Sequence, residues 1–158
     1  MKKGLLFILT ILSLNAFAQA FESFNFTGTA NSNGWTTHSG TAGQVVAITT
    51  PSGSGNSLTY PGLQASAGNR IELNSAWSED INKPIAIPGT TGYFSFLLNV
   101  LNTTGLTAAG NYFVGFAAST GATNVTIFFP RLYIKLGTTP NTFQLGILNT
   151  SGGTVTIS

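Results

Sequence analysis

Val125-Thr126-Ile127-Phe128-Phe129-Pro130-Arg131-Leu132-Tyr133-Ile134-Lys135-Leu136 is the stretch whose reading decides the fold. Val125, Ile127 and Phe129 alternate with Thr126 and Phe128. After Pro130, Leu132, Ile134 and Leu136 alternate with Arg131, Tyr133 and Lys135. A period of two sends the two sets to opposite sides of an extended chain, so both halves read as strands with the aliphatic set facing inward. A helix would need apolar residues three and four apart, and no window of useful length keeps that period.

The same rhythm recurs outward from this stretch. Downstream, Phe143, Leu145 and Ile147 form an inward set, and Val155 and Ile157 begin one more strand. Upstream, Gly92 to Val100 is the strongest strand, with Phe94, Phe96, Leu98 and Val100 on one face, and Tyr112, Val114 and Phe116 define the next. Arg70 to Leu73 alternates with Ile71 and Leu73 buried, and Gln44 to Thr49 and Leu58 to Tyr60 read as short strands. Phe21, Phe24 and Phe26 suit an opening strand. Between them lie stretches of turn chemistry: Asn31–Gly43, 51–56, 74–91 and Asn102–Gly110. Many short strands separated by turns predict an all-β fold, an antiparallel β-sandwich. A parallel β-helix is the alternative, but no fixed repeat supports it.

Composition agrees. Thr, Gly, Ser and Asn together supply 70 of 158 residues and only ten are charged, which excludes a helical bundle or coiled coil. Hydrophobic residues at 42% exclude a charge-rich disordered tail. The chain opens with Lys2-Lys3, an apolar run from Gly4 to Leu14, and Ala16-Phe17-Ala18-Gln19-Ala20. This is the pattern of an export signal over residues 1–20, cut after Ala18 or Ala20. Its apolar run is shorter than the about 20 residues a membrane span needs. Residues 21–158 then form one β-sandwich domain. Without Lys2 and Lys3 the chain carries four acids and four bases, so no basic stripe is left to hold nucleic acid. The absence of cysteine rules out disulfides, thiolate nucleophiles and Cys-ligated metals. The last residues, Gly152 to Ser158, stop inside a strand-like stretch, which predicts an N-terminal fragment of a longer protein, incomplete at its C-terminus.

Candidate chemistry is sparse. The acids are Glu22, Glu72, Glu79 and Asp80; glycoside hydrolysis usually needs two carboxylates across a cleft, and no Glu-x-Asp-x-x-Glu or Glu-x-Asp-x-Glu run supplies them on one strand. Arg70 and Glu72 lie two apart and are expected to pair on the surface. Glu79-Asp80 offers oxygens for calcium, although two adjacent side chains fall short of the six to eight ligands that calcium takes. His38 is the lone histidine, with no Gly-x-Ser-x-Gly elbow to supply a nucleophile, so a structural hydrogen bond is the expected role. Trp35, Trp77, Tyr60 and Tyr133 are the candidate ligand-binding residues, since flat aromatic faces cover the apolar face of a pyranose. Core packing competes for both tryptophans.

A set of short phrases carries a family resemblance. They are Trp35 to His38, Ser57-Leu58-Thr59-Tyr60-Pro61-Gly62-Leu63, Gly68-Asn69-Arg70-Ile71, Ser78-Glu79-Asp80, Tyr93-Phe94-Ser95-Phe96-Leu97-Leu98-Asn99-Val100, Asn111-Tyr112-Phe113 and Arg131 to Lys135. In this order, over about residues 21–150, the chain resembles the N-terminal region of large secreted Bacteroidota proteins. That region is called LamG-like or concanavalin-A-like, and its proteins often end in a type IX secretion sorting domain. The resemblance implies a jelly-roll sandwich at the cell surface or outside the cell. It brings no catalytic residues with it. The expected function is a non-catalytic module for glycan contact, adhesion or spacing within a larger protein, with no cofactor. The alternative is the N-terminal part of a secreted polysaccharide-active enzyme whose catalytic residues lie beyond Ser158.

Overall fold

The structure is a computed structural model that describes residues 20–49, 55–86, 91–119, 123–149 and 156–157. The export signal, the Pro51–Ser54 turn and Val155 lie outside the described residues. Among these residues the chain is mostly β and antiparallel, with no α-helix and one 3-10 turn at Ala30–Ser32. Among the described residues no helix is long and apolar enough to cross a membrane.

Among the described residues nine strands make three sheets. Strands β1 (Gly28–Thr29), β3 (Val46–Ile48) and β4 (Arg70–Glu72) form one, in the order β1-β3-β4. Strands β2 (Thr36–Ser39) and β5 (Asp80–Asn82) pair as a second. The third holds β6 (Asn111–Ser119), β7 (Val125–Leu136), β8 (Phe143–Leu148) and β9 (Thr156–Ile157), each paired with the next.

The deciding stretch is one strand, running through Pro130 rather than stopping there. Proline has no N–H for a ladder, so it is tolerated only where pairing is irregular. Register slips at this place: Gly115 faces Arg131 while Ala117 faces Phe128, giving β7 an extra residue. Gly115 lets the two strands approach there, because a Cβ on it would lie 2.6 Å from the Pro130 carbonyl oxygen.

Register also shows which side of this sheet is packed. Leu132 faces Ile147, Ile134 faces Leu145 and Leu136 faces Phe143, so the six apolar side chains share one side, as the alternation predicts. That side is not the buried one. Phe143, Leu145 and Ile147 are each 40% exposed, whereas Gly146 and Leu148, which alternate with them, are buried. The packed side carries Tyr112, Arg131 and Tyr133 and receives the two-stranded sheet, through a His38–Phe128 ring contact and a hydrogen bond from Tyr112 to Asp80. Alternation sorts side chains into two sets; it does not say which set meets the next layer.

Other expectations also require correction. Thr91 to Val100 forms no ladder, and Tyr93 is 92% exposed. Its alternation survives as ring packing: Phe94 and Phe96 stack at 5.8 Å and meet Phe116 and Phe113 edge-on at 5.0 and 6.1 Å. A strand needs a partner for its N–H and C=O groups, and no described residue pairs with this segment in a ladder. Leu58–Tyr60 and the Phe21–Phe26 opening are likewise irregular, and Leu73 is exposed. Conversely, β2 and β5 fall within stretches expected to be connections. Thr-Thr-His-Ser and Asp-Ile-Asn carry no apolar rhythm; their pairing is held by polar side chains. The expected Arg70–Glu72 pair is absent from the described ion pairs. Arg70 Nη1 turns instead to the carbonyl and side-chain oxygens of Asn56, at 3.1 and 2.6 Å.

Candidate functional site

Chemistry-bearing side chains gather around β2 and β5. Glu79, immediately before β5, is 9% exposed and meets the loop that leads from β2 to β3. Its Oε1 accepts from Thr37 Oγ1 at 2.5 Å and Gly43 N at 3.0 Å. Its Oε2 accepts from Gln44 N at 2.6 Å and Val45 N at 2.7 Å. Gln44 answers through its side-chain oxygen, which accepts from Ser78 N and Glu79 N at 2.9 and 3.0 Å. Burial pushes the Glu79 carboxyl upward, but the Thr37 hydroxyl and the three backbone N–H groups outweigh it and hold the group below its usual 4.5. Glu79 is therefore an anion locked to a loop.

Asp80, the first residue of β5, faces the four-stranded sheet. Its Oδ2 accepts from Ser39 Oγ at 2.5 Å and from the Tyr112 hydroxyl at 2.8 Å. Burial first, then the hydrogen bond to Asp80 and its negative charge, raise the Tyr112 phenol far above its usual 10. Such a phenol stays protonated at neutral pH and cannot serve as a base. Arg131 lies 5.7 Å from the ring centres of both Tyr112 and Tyr133, which stand opposite one another in register.

His38 accepts at Nδ1 from Asn82 Nδ2, 3.1 Å away, and its Nε2 is buried without a hydrogen-bond partner. Ser39 gives its proton to Asp80, so no serine–histidine relay forms here. Trp35 stacks on Phe24 at 5.7 Å, with Lys83 5.9 Å above its ring and ion-paired to Glu22. Glu22 also accepts from Phe24 N at 2.8 Å, supporting a backbone turned to positive φ at Phe24.

The four aromatic candidates are thus scattered. Trp35 is half-buried in its own stack, Trp77 is half-buried, Tyr60 is 64% exposed, and Tyr133 packs on Tyr112 and Arg131. No ring contact joins any two of them. Glu79 and Asp80 stay adjacent, yet Glu79 spends both oxygens and Asp80 its Oδ2 on protein donors, and no group of three metal-ligating His, Cys, Asp or Glu occurs among the described residues. Sequence reasoning missed Tyr112 and Arg131. The signal for Arg131 was present, since it sits two residues from Tyr133 on one strand face. The approach of Tyr112 to Asp80 spans 32 residues and left no local trace. No family model, curated protein or solved structure matches the chain.

Proposed function

We propose that this chain is a non-catalytic β-sandwich module of an exported protein, serving adhesion or spacing within a larger surface assembly. One observation carries the reading: Glu22, Glu79, Asp80 and His38 each make a bond that holds the fold together. Glu22 braces Phe24 and Lys83, Glu79 anchors a loop, Asp80 ties β2 to β6, and His38 is bonded to Asn82. Glu72 remains, half-buried on β4, and a single carboxylate cannot perform the two-carboxylate hydrolysis of a glycoside. The two-stranded sheet lying against the four-stranded one supports a sandwich, and the jelly-roll type belongs to this proposal. So do the relationship to LamG-like proteins of the Bacteroidota and the cell-surface or extracellular location.

Glycan contact is the weaker part of the reading, because Trp35, Trp77, Tyr60 and Tyr133 do not form one platform. Tryptophan fluorescence tests it, since a sugar stacked on Trp35 or Trp77 would shift or quench emission. Against a panel of plant, bacterial and host polysaccharides the expected result is unchanged emission and no release of reducing ends. Saturable quenching would restore the glycan-binding role, and reducing ends above the blank would restore the enzyme. Sequencing the N-terminus of protein recovered from the culture medium tests export, with Gln19 or Phe21 expected as the first residue.

A further inference from the structure

We infer that Asn33-Gly34 is a self-modification site: Asn33 loses its side-chain amide by spontaneous deamidation, and the loss unclasps the first strand. Fourteen residues are asparagine, and Asn33 is the one followed by glycine. That neighbour decides the chemistry, because the attacking group is the backbone nitrogen of the next residue. Glycine has no Cβ to crowd the approach, and its backbone turns freely. Gly34 is exposed, at a φ of +84°, and a Cβ built on it would meet nothing within 4 Å, so this turn has room to move.

In the closed turn the amide is occupied. Its nitrogen carries two N–H donors. Asn33 Nδ2 donates to the Thr29 carbonyl at 2.8 Å and to the Thr27 carbonyl at 3.2 Å. These carbonyls belong to β1 and the residue before it. β1 is two residues long and stands first in the order β1-β3-β4, and Ala30 N extends its pairing with a bond to the Val45 carbonyl at 2.8 Å. Segments held by so few bonds open locally at low cost. Each opening frees the Asn33 carboxamide to turn toward Gly34.

The reaction balances with water alone. Gly34 N gives its proton to a base and bonds to Asn33 Cγ. The Cγ–Nδ2 bond breaks, and Nδ2 leaves as ammonia with a proton from solvent. Water then opens the cyclic imide at either carbonyl, leaving aspartate or isoaspartate at position 33. Nothing is oxidised or reduced. The product is a carboxylate without donors, facing the Thr27 and Thr29 carbonyls acceptor to acceptor, so β1 loses its clasp. The product also carries one more negative charge. Over residues 21–158 acids and bases are otherwise equal in number, so ion exchange separates it from the parent chain.

Incubating the folded chain at pH 8 and 37 °C, with peptide mapping by mass spectrometry, tests the proposal. Asn33 is expected to convert before any other asparagine, more slowly than in the urea-unfolded chain, with isoaspartate among the products as the mark of the imide. The converted chain, collected by ion exchange, should exchange its Ala30 N–H about tenfold faster than fresh protein, as the loss of about two hydrogen bonds implies. Asn33→Asp should exchange at the same raised rate; if it fails to fold, the converted wild type alone supplies the measurement. Conversion of another asparagine first overturns the proposal. So does an Asn33 still intact in the folded chain once the unfolded chain has fully converted, or a converted chain whose Ala30 N–H exchanges as in fresh protein.

Discussion

Replacing Glu79 isolates the one buried carboxylate that organises a loop. Four donors converge on it: the Thr37 hydroxyl and the backbone N–H groups of Gly43, Gln44 and Val45. Glu79→Gln can keep three of the four. With the amide nitrogen in the place of Oε1, Thr37 rotates to accept, the Gln44 and Val45 N–H groups keep an oxygen, and only the Gly43 N–H is orphaned. Each hydrogen bond to a charged group contributes about 1.5–3 kcal/mol, so losing one bond and the charge should cost about 2 kcal/mol. Glu79→Ala removes all four acceptor contacts. Water can reach some of the freed donors but not Val45, which is buried, so the cost should be about 4 kcal/mol. The pH dependence distinguishes the charge from the shape. The folded-state value lies below 4.5, so the anion's contribution is complete above that pH and is lost as pH falls through the folded value. Urea unfolding at pH 7 and at pH 3 is the assay. The wild type should lose stability on acidification, and Glu79→Gln should lose less, narrowing the gap between them. An alanine variant within 0.5 kcal/mol of wild type at pH 7, or a gap that widens in acid, would refute the reasoning.

Three further substitutions probe separate joints. Gly40→Ala places a Cβ 1.7 Å from the Ser78 carbonyl oxygen at a φ of +77°, and a drop of at least about 2 kcal/mol in urea unfolding is expected. Asn69 is buried, donates to the carbonyls of Phe24 and Phe26 and accepts from Asn56 N; Asn69→Ala should cost about 2–4 kcal/mol, read as a lowered thermal midpoint. Spectrophotometric titration of the tyrosines should show one phenol ionising well above 10, and Tyr112→Phe should remove that late phase. Because folding raises this phenol, its contribution to stability is full below pH 10 and fades as pH climbs beyond it.

The antiparallel β class and the strands over 125–136 and 143–148 were legible because alternation is a local property. Leu132, Ile134 and Leu136 announce a shared face, and Phe143, Leu145 and Ile147 announce its complement. The rest depends on terms that alternation does not contain. The segment from Tyr93 to Val100 has the clearest rhythm in the chain and no ladder partner among the described residues. Thr36–Ser39 and Asp80–Asn82 have no rhythm and do pair, because Thr37, Ser39 and Asn82 supply bonds that apolar burial supplies elsewhere. Nor could period two say that the side bearing Arg131 and Tyr133 would be the packed one. That choice follows from Asp80, which meets Tyr112 across the layers.

The same logic explains why a chain this poor in charge keeps a carboxylate at position 79. Thr, Asn and Ser side chains can satisfy single donors almost anywhere, and here they do so repeatedly. Three successive N–H groups pointing at one place are a different demand. Gly43, at a φ of +87°, turns the backbone so that its own N–H and those of Gln44 and Val45 converge, forming a concavity of positive potential. A neutral amide offers one oxygen to such a concavity and presents N–H groups to the remainder. A carboxylate offers two oxygens and a charge of matching sign. Glu79 and these three N–H donors are separated by 34 to 36 residues, which is why Glu79-Asp80 reads in the sequence as oxygens for calcium rather than as the clasp between β5 and the start of β3. It follows that the acid sensitivity of this fold should reside in residue 79 more than in the ion pair of Glu22 with Lys83, whose exposed ammonium is screened by solvent.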